Sequence, residues 1–169
     1  MATSAQVGIE TYLKTSYHPD RDYVDGEIEE RNSGEFDHAS IQMALLAWFY
    51  ARRSEWNIHV LPELRVRVST TRVRIPDVCL ISRDSPIEQV IIHPPAVVIE
   101  ILSPEDRVQR YNGRLEDYRA MGVKNIWVLD PATQAGFDWI AGWHRTERFE
   151  AAGTPIYLDV REIFDSLQK

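Results

Sequence analysis

The stretch AVVIEILSPEDR, residues 96–107, decides the fold of this chain. Its first seven residues are apolar except for Glu100, a pattern typical of a strand that is buried on both faces of a sheet. A buried carboxylate is costly unless it is paired, hydrogen-bonded or bound to a cation, so Glu100 is expected to have a partner. The SPEDR segment then favours a helix start, because Ser103 or Pro104 precedes two acids that suit the positive end of a helix dipole.

This helix is expected to run to about Met121 and to end at Gly122, a common residue after helix C-termini. The segment NIWVLDP, residues 125–131, follows as another strand. A strand–helix–strand crossover makes the two strands parallel, with a right-handed connection. The apolar stripe of the helix consists of Val108, Tyr111, Leu115 and Tyr118.

Upstream of this unit the sequence predicts a helix and a pair of strands. Apolar residues recur at helical spacing over residues 38–54, and Ser33 or Asp37 could cap the start. Residues 58–68 alternate apolar and charged side chains near their end, as a half-exposed strand does, and residues 73–81 form a second strand after a turn. The resulting helix–strand–strand–strand–helix–strand order predicts an α/β (α+β) fold with a mixed β-sheet, an αβββαβ core and flanking helices.

The N-terminal segment RDYVDGEIEER, residues 21–31, predicts a hairpin. It turns at Asp25-Gly26, a dipeptide favoured in tight type I′ turns. Hydrophobic residues make up 44% of the 169 positions, which is enough for one domain, residues 1–169, with its own core.

Composition excludes several classes of protein. The formal net charge of −7 argues against a phosphate-binding surface over the whole molecule, although it allows a local basic face that also holds divalent cations. The only thiol, Cys79, excludes an internal disulfide framework and favours a reducing cytoplasmic setting. The sequence has no signal-peptide pattern and no apolar run near the ~20 residues of a membrane helix, so no membrane association is expected.

A second acid, Asp77, lies inside the apolar strand IPDVCLI. Two acids in two central strands suggest a shared site, because a hard divalent cation such as Mg²⁺ relieves the repulsion between close carboxylates. Glu63, on the strand that pairs with the Asp77 strand, is a third candidate.

Each acid also has a structural interpretation. Glu100 could pair with an arginine, and Asp77 could accept backbone hydrogen bonds at a bulge caused by Pro76. Glu63 alternates with arginines and could lie on a solvated strand face. The residues by themselves leave both interpretations open.

The order of these motifs resembles the PD-(D/E)XK nuclease superfamily, which has the restriction-endonuclease-like fold. Within it, the chain is similar to the Uma2 family of endonucleases, also named domain of unknown function 820. The matching stretches are YVDGEIEERN, GEFDHASIQ, RIPDVCLI, PPAVVIEILSPEDR, RLEDYRAMGV and IWVLDP, which span nearly the whole chain.

The resemblance implies metal-dependent hydrolysis of phosphodiester bonds, in DNA. Asp77, Glu100 and the backbone carbonyl of Ile101 would hold Mg²⁺, with Mn²⁺ as a substitute, and Glu63 and His38 would be auxiliary groups. Two further acids, Asp25 and Glu27, match the family pattern, and the turn is the preferred role for the first. The superfamily also implies a homodimer. The aromatic residues Trp139, Trp143 and Tyr157 could form the contact between the two copies or could belong to the core.

The chain departs from the superfamily at the motif lysine. That lysine stands two positions after the second acid, where this sequence has Leu102. The resemblance points to Arg114 on the following helix as the displaced cation, which could clamp charge but could not act as a base. Arg107 and Arg110 would follow phosphates or remain solvated. The alternative to a nuclease is therefore a catalytically inactive binding or assembly module with the same fold.

Overall fold

A computed structural model describes residues 6–31, 34–104, 106 and 108–167 of the chain. Within these residues the chain forms four helices and twelve strands. The helices are α1 (Ile9–Lys14), α2 (Phe36–Arg52), α3 (Val108–Met121) and α4 (Val160–Ser166). The strands are β1 (Asp22–Val24), β2 (Glu27–Glu29), β3 (Ile58–Pro62), β4 (Val66–Ser69), β5 (Arg72–Arg74), β6 (Val78–Ser82), β7 (Val97–Ile101), β8 (Ile126–Asp130), β9 (Ala135–Trp139), β10 (Trp143–Thr146), β11 (Arg148–Glu150) and β12 (Tyr157–Asp159).

The centre of the fold is a six-stranded sheet with the order β10-β9-β8-β7-β6-β3. β7 and β8 are parallel, as the crossover through α3 predicts, whereas the other neighbours in this sheet are antiparallel. Helices α2 and α4 pack together on one face, and α3 packs against β8 on the other. The mixed sheet between helices confirms the predicted fold class.

The central strand β7 is buried along its whole length. Val97, Ile99 and Ile101 belong to the core under α2 and α4, whereas Val98 belongs to the core under α3. Because side chains alternate along a strand, Glu100 points to the α3 face. The acid is therefore directed toward the side chains of one particular helix.

A second sheet, with the order β2-β1-β5-β4, carries the N-terminal hairpin. Asp25 and Gly26 connect β1 to β2 with φ angles of 51° and 97°, the two positive values that a type I′ turn requires. Helix α1 packs on this sheet through Tyr12, which contacts Tyr23 and Val73 in a small core of its own. The predicted hairpin is confirmed.

The two long strands predicted for residues 58–68 and 73–81 are each broken. β3 pairs with β6 in the central sheet, whereas β4 pairs with β5 in the N-terminal sheet. Pro76 has no N–H to donate to a ladder, and Glu63 has a left-handed φ of 49°. The hairpin therefore bends from one sheet into the other, and Asp77 lies at this bend.

The two core helices begin at other residues than predicted: α3 begins later, and α2 begins two residues earlier than residue 38. α3 starts at Val108, because the backbone N–H of Ser103 instead donates to the Asp106 carboxylate at 2.7 Å in a local turn. α2 starts at Phe36, and Asp37 lies within its first turn rather than capping it. Ser33, Glu105 and Arg107, on which other predictions rested, lie outside the described residues.

The structure also shows where α3 ends and where the C-terminal aromatic residues lie. Gly122 follows α3 with a φ of +106°, which suits glycine. Trp139 is buried, and Trp143 and Tyr157 pack against the two cores. These aromatics belong to the core of the chain and are not available as a surface for the expected homodimer. No helix in the described part of the chain has the length and hydrophobicity to span a bilayer.

Candidate active site

Strand register brings Asp77 and Glu100 together. β6 and β7 are antiparallel, with Val78 opposite Ile99. Asp77 precedes the first of these residues and Glu100 follows the second, so the two acids are the next opposite positions and their side chains share one face. Both are buried, with 3% and 1% of their surface exposed. The prediction that these acids lie close together in two neighbouring strands agrees with this arrangement.

Asp77 is surrounded by hydrogen-bond donors. Its Oδ1 accepts from Arg31 Nη2 at 3.1 Å and lies 3.2 Å from His38 Nε2. Its Oδ2 accepts from the backbone N–H of Ile101 at 2.7 Å, and its carbonyl accepts from the Gln42 side chain. Burial disfavours its charge, but His38, Arg31 and the Ile101 N–H outweigh burial and lower the pKa of Asp77. Asp77 is thus held as a carboxylate.

Glu100 has two partners on α3. Its Oε1 accepts from Arg114 Nη1 at 3.1 Å and from the Tyr118 hydroxyl at 2.6 Å. Burial, with a smaller contribution from the charge of Asp77, outweighs the opposing effects of Arg114 and Tyr118, and the pKa of Glu100 is raised to about 7. Within the described residues no hydrogen bond reaches Oε2, so that oxygen is available to a further ligand.

Arg114 links both sheets. Its Nη1 contacts Glu100 and donates to the Ile75 carbonyl at 3.2 Å, while its Nη2 donates to Asp22 at 2.7 Å. Burial opposes its charge, but Asp22 and Glu100 keep the pKa of Arg114 well above its usual value. Asp22 is fully buried and also accepts from Arg74. Arg114 therefore occupies a fixed position between two carboxylates.

An apolar side chain occupies the position of the motif lysine, and its surroundings in the structure are apolar too. Leu102 packs against the core under α3 and carries no charge to the acids. Arg114 is the guanidinium that contacts Glu100. The predicted displacement of the cation from strand to helix is consistent with this contact.

The acids open into a cavity of about 40 Å³, large enough for a bound ion or a few waters. Within the described part of the chain, three guanidinium groups line it beside the acid Glu30. Two of them, Arg31 and Arg114, touch the acids, and the third, Arg110, is half-exposed and donates to the Glu30 carbonyl at 2.7 Å. The side chains that line the cavity also include His38, Ser103, Asp106 and Tyr111.

The other predicted residues lie at different distances from this cavity. His38 is half-buried, and its hydrogen bond to Asp77 raises its pKa above the usual 6.5 against the effect of burial. The Ile101 carbonyl accepts from the Tyr111 hydroxyl at 3.1 Å. Glu63 is exposed and only 3.9 Å from Arg31 Nη1, and it is not among the residues that line the cavity.

Asp25 and Glu27 have no part in the cavity. Asp25 accepts from Arg72 and Thr71 at the hairpin turn, and the hydrogen bond from Arg72 lowers its pKa to about 2. Glu27 is exposed at the start of β2. The turn-forming interpretation of Asp25 therefore describes its contacts in the structure.

The donor set at the cavity fits a hard divalent cation. Among the described residues, no group of three or more His, Cys, Asp and Glu side chains forms a metal cluster. Mg²⁺, however, commonly uses only one or two carboxylates and keeps several waters. Asp77, Oε2 of Glu100 and the Ile101 carbonyl provide oxygen donors of that kind, although Asp77 Oδ1 would exchange its contacts with Arg31 and His38.

Sequence reasoning did not find Arg31 and Asp22. Arg31 lies 46 positions from Asp77, and Asp22 lies 92 positions from Arg114, so no spacing relates them. Tyr118 was assigned to the apolar stripe, and its hydroxyl was not given a role. A buried tyrosine normally has a hydrogen-bond partner, so this stripe did contain a signal for the contact with Glu100.

A mixed sheet with two acids on adjacent central strands, followed by a helical crossover to a parallel strand, defines a protein of the restriction-endonuclease-like class. The chain belongs to the Uma2 family, whose model carries the description "Putative restriction endonuclease" and matches residues 10–148. Enzymes of this class generally use divalent metal ions.

A solved structure shows the same fold. It is described as "a putative nuclease belonging to DUF820" from Anabaena variabilis ATCC 29413. It is 18% identical, covers 96% of this chain and 99% of its own, and has a TM-score of 0.81. A cryoEM structure of a DrdV–DNA complex is 11% identical over 80% of this chain and 12% of its own, with a TM-score of 0.47. No curated protein matches the chain.

Proposed function

We propose that this protein is a Mg²⁺-dependent endonuclease that hydrolyses phosphodiester bonds in DNA, with Mn²⁺ as a substitute metal. The observation that carries the proposal is the meeting of Asp77 and Glu100 in one cavity, where Oε2 of the second acid has no partner within the described residues. Membership of the Uma2 family supports the reaction class.

Asp77, Glu100 and the Ile101 carbonyl would hold the metal. The bound metal would act as a Lewis acid that polarises the phosphoryl oxygen and lowers the pKa of a water molecule. Arg114 orients Glu100 through the 3.1 Å contact, and its charge favours the carboxylate form against the effect of burial. It also adds positive charge beside the cavity in place of the motif lysine.

Guanidinium groups stand beside the acids of the cavity and would contact the phosphate oxygens of a phosphodiester in a protein of net charge −7. Arg31 and Arg110 line the cavity together with Arg114, and guanidinium groups bind phosphate oxygens in a bidentate manner. These guanidinium groups are where the DNA backbone would approach. His38 also lines the cavity, and its hydrogen bond to Asp77 raises its pKa, which favours the positively charged form there.

Cleavage assays test the proposal directly. Purified protein is incubated with single-stranded, duplex and branched DNA in Mg²⁺ or Mn²⁺, beside Asp77→Asn, Glu100→Gln and the control Glu116→Gln, an exposed acid of α3. Metal-dependent cleavage is expected for the wild type and Glu116→Gln, and its loss in the two site variants. An inactive wild type on all three substrates contradicts the proposal.

A second candidate is a nuclease-fold binding or assembly module without catalysis. It is favoured by Leu102 at the motif position and by the arginine contacts that already neutralise both acids. Calorimetric titration with Mn²⁺ separates the two candidates. Binding by the wild type that is lost in Glu100→Gln supports the enzyme, whereas equal absence of binding in both proteins supports the module.

The proposal also includes a homodimer and a cytoplasmic setting. The buried Cys79 is compatible with reducing conditions, since its thiol is enclosed in the core. The dimer requires a surface that this fold leaves exposed.

A further inference from the structure

Helix α2 is apolar on two opposite faces. Ile41, Leu45 and Phe49 form its buried face in the core. On the opposite side Phe36, Met43 and Tyr50 are exposed by 77%, 65% and 56%. These three account for half of the large hydrophobic side chains found exposed in the described part of the chain; the others are Ile87, Ile92 and Ile140.

The three exposed residues lie on one line. They are seven positions apart, and seven residues make almost two turns of an α-helix, so their side chains form a stripe along the helix. Ala39 and Ala47 are also exposed on the same side, between the large residues. We call Phe36, Ala39, Met43, Ala47 and Tyr50 the α2 stripe. An exposed apolar stripe of this kind marks a contact surface.

The α2 stripe is symmetric about Met43. Phe36 and Tyr50 are equidistant from it in sequence, and so are Ala39 and Ala47. In an antiparallel pair of identical helices, position 36 therefore faces position 50, 39 faces 47, and 43 faces its own copy. A two-fold interface requires this self-complementarity, in which residue i contacts j and j contacts i.

Charge at the two ends of the stripe has the same symmetry. Acidic Glu35 and Asp37 flank Phe36 at the start of α2. Arg53 lies just after the helix, and its guanidinium carbon is 3.7 Å from the centre of the Tyr50 ring. An antiparallel pair brings the acidic end of one helix to the basic end of the other, whereas a parallel pair would bring like charges together.

We propose that α2 pairs antiparallel with α2 of a second copy of this chain through the α2 stripe, with Met43 on the two-fold axis. This inference names the surface for the homodimer of the proposed function, and it does not depend on cleavage activity. The contact is about 25 Å long and about 10 Å wide. The surface area that it buries is therefore below the ~1,200 Å² of total buried surface common in stable interfaces. The dimer is therefore weak and concentration-dependent.

Sedimentation velocity over a range of concentrations tests the pairing. The wild type is expected to shift from monomer to dimer, and Met43→Arg, which places two arginines at the axis, is expected to raise the dissociation constant at least about tenfold. Ile87→Arg adds the same charge at an exposed residue outside the stripe and should dimerise like the wild type. A monomeric wild type, or a dimer unaffected by Met43→Arg, overturns the proposal.

Disulfide trapping tests the direction of the helices. The only native thiol, Cys79, is buried and should not compete. Helices 8–10 Å apart bring facing Cα atoms within disulfide range, so a mixture of Phe36→Cys and Tyr50→Cys should give a cross-linked heterodimer. Cross-linking of Phe36→Cys with itself instead indicates a parallel pair and overturns the antiparallel arrangement. Cleavage assays on the same proteins report separately on the nuclease proposal.

Discussion

Arg114 donates to Asp22 through one terminal nitrogen at 2.7 Å and to Glu100 through the other at 3.1 Å. Asp22 belongs to the N-terminal sheet and Glu100 to the central sheet. The guanidinium of Arg114 therefore joins the two sheets, and the orientation of Glu100 depends on a residue of the N-terminal hairpin.

Removal of the Asp22 charge should strongly destabilise the fold. Asp22→Asn leaves Arg114 and Arg74 buried with one carboxylate fewer, and breaking a buried ion pair typically costs about 3–5 kcal/mol. Urea unfolding measures the loss. Asp25→Asn is the matched control, because its pair with Arg72 is solvent-exposed and worth at most about 1 kcal/mol. Equal losses in the two variants would contradict the central role of Asp22.

The free energy of unfolding should show the titration of Glu100. Burial raises its pKa from 4.5 to about 7, so between these pH values the native protein keeps a proton that the unfolded chain has lost. The contribution of Glu100 to stability is thus highest below pH 4.5 and falls as pH rises through 7, by up to about 3 kcal/mol. Asp77, with its lowered pKa, titrates below this window in any case.

Glu100→Gln removes this titration. The free energy of unfolding of the wild type minus that of the variant should therefore decrease between pH 5 and pH 8, as measured by urea unfolding at several pH values. A difference that is constant or that increases with pH would show that Glu100 is not held in the environment described here.

The Tyr118 hydroxyl should matter most when Glu100 is ionised. Tyr118→Phe removes the 2.6 Å hydrogen bond to the carboxylate, which is worth about 1.5–3 kcal/mol for a charged acceptor. Tyr111→Phe is the control, since it removes a bond to the neutral Ile101 carbonyl. Thermal unfolding at pH 5 and pH 8 should show a larger loss at the higher pH for Tyr118→Phe alone. A pH-independent loss would indicate simple packing.

Two glycines should respond oppositely to alanine. A Cβ at Gly136 would lie 2.7 Å from Val160 and 2.9 Å from Phe149, so Gly136→Ala overpacks the core and should cost about 1–3 kcal/mol. A Cβ at Gly113, within α3, meets nothing within 4 Å, so Gly113→Ala should stabilise by about 0.5–1 kcal/mol. Chemical unfolding of both variants checks the signs, and a stabilising Gly136→Ala would contradict the packing described for β9.

The sequence made the acid pair predictable because local pattern and strand order were both visible. A charge inside an apolar run indicated a buried acid, and the crossover from β7 to β8 indicated which strands are central. The register between Asp77 and Glu100 was not predictable from these patterns, because residues 83–95 that connect the two strands have no periodicity.

Other parts of the site were not predictable in this way. Asp22 looks like an ordinary polar residue at the start of a short strand, and Arg31 is separated from Asp77 by a helix and three strands. Their pairing is decided by how the N-terminal sheet packs on α3, which no periodicity encodes. The break of the long hairpin at Glu63 was also invisible, because glutamate rarely adopts a positive φ.

The bend at which the long hairpin passes from one sheet to the other has an architectural consequence for Asp77. The hydrogen bonding between strands is already interrupted at this bend, so a charged residue there removes no backbone hydrogen bond from either sheet. The Asp77 carbonyl can instead accept a hydrogen bond from Gln42 of α2. The protein thus buries the Asp77 carboxylate at a position where the regular strand geometry ends.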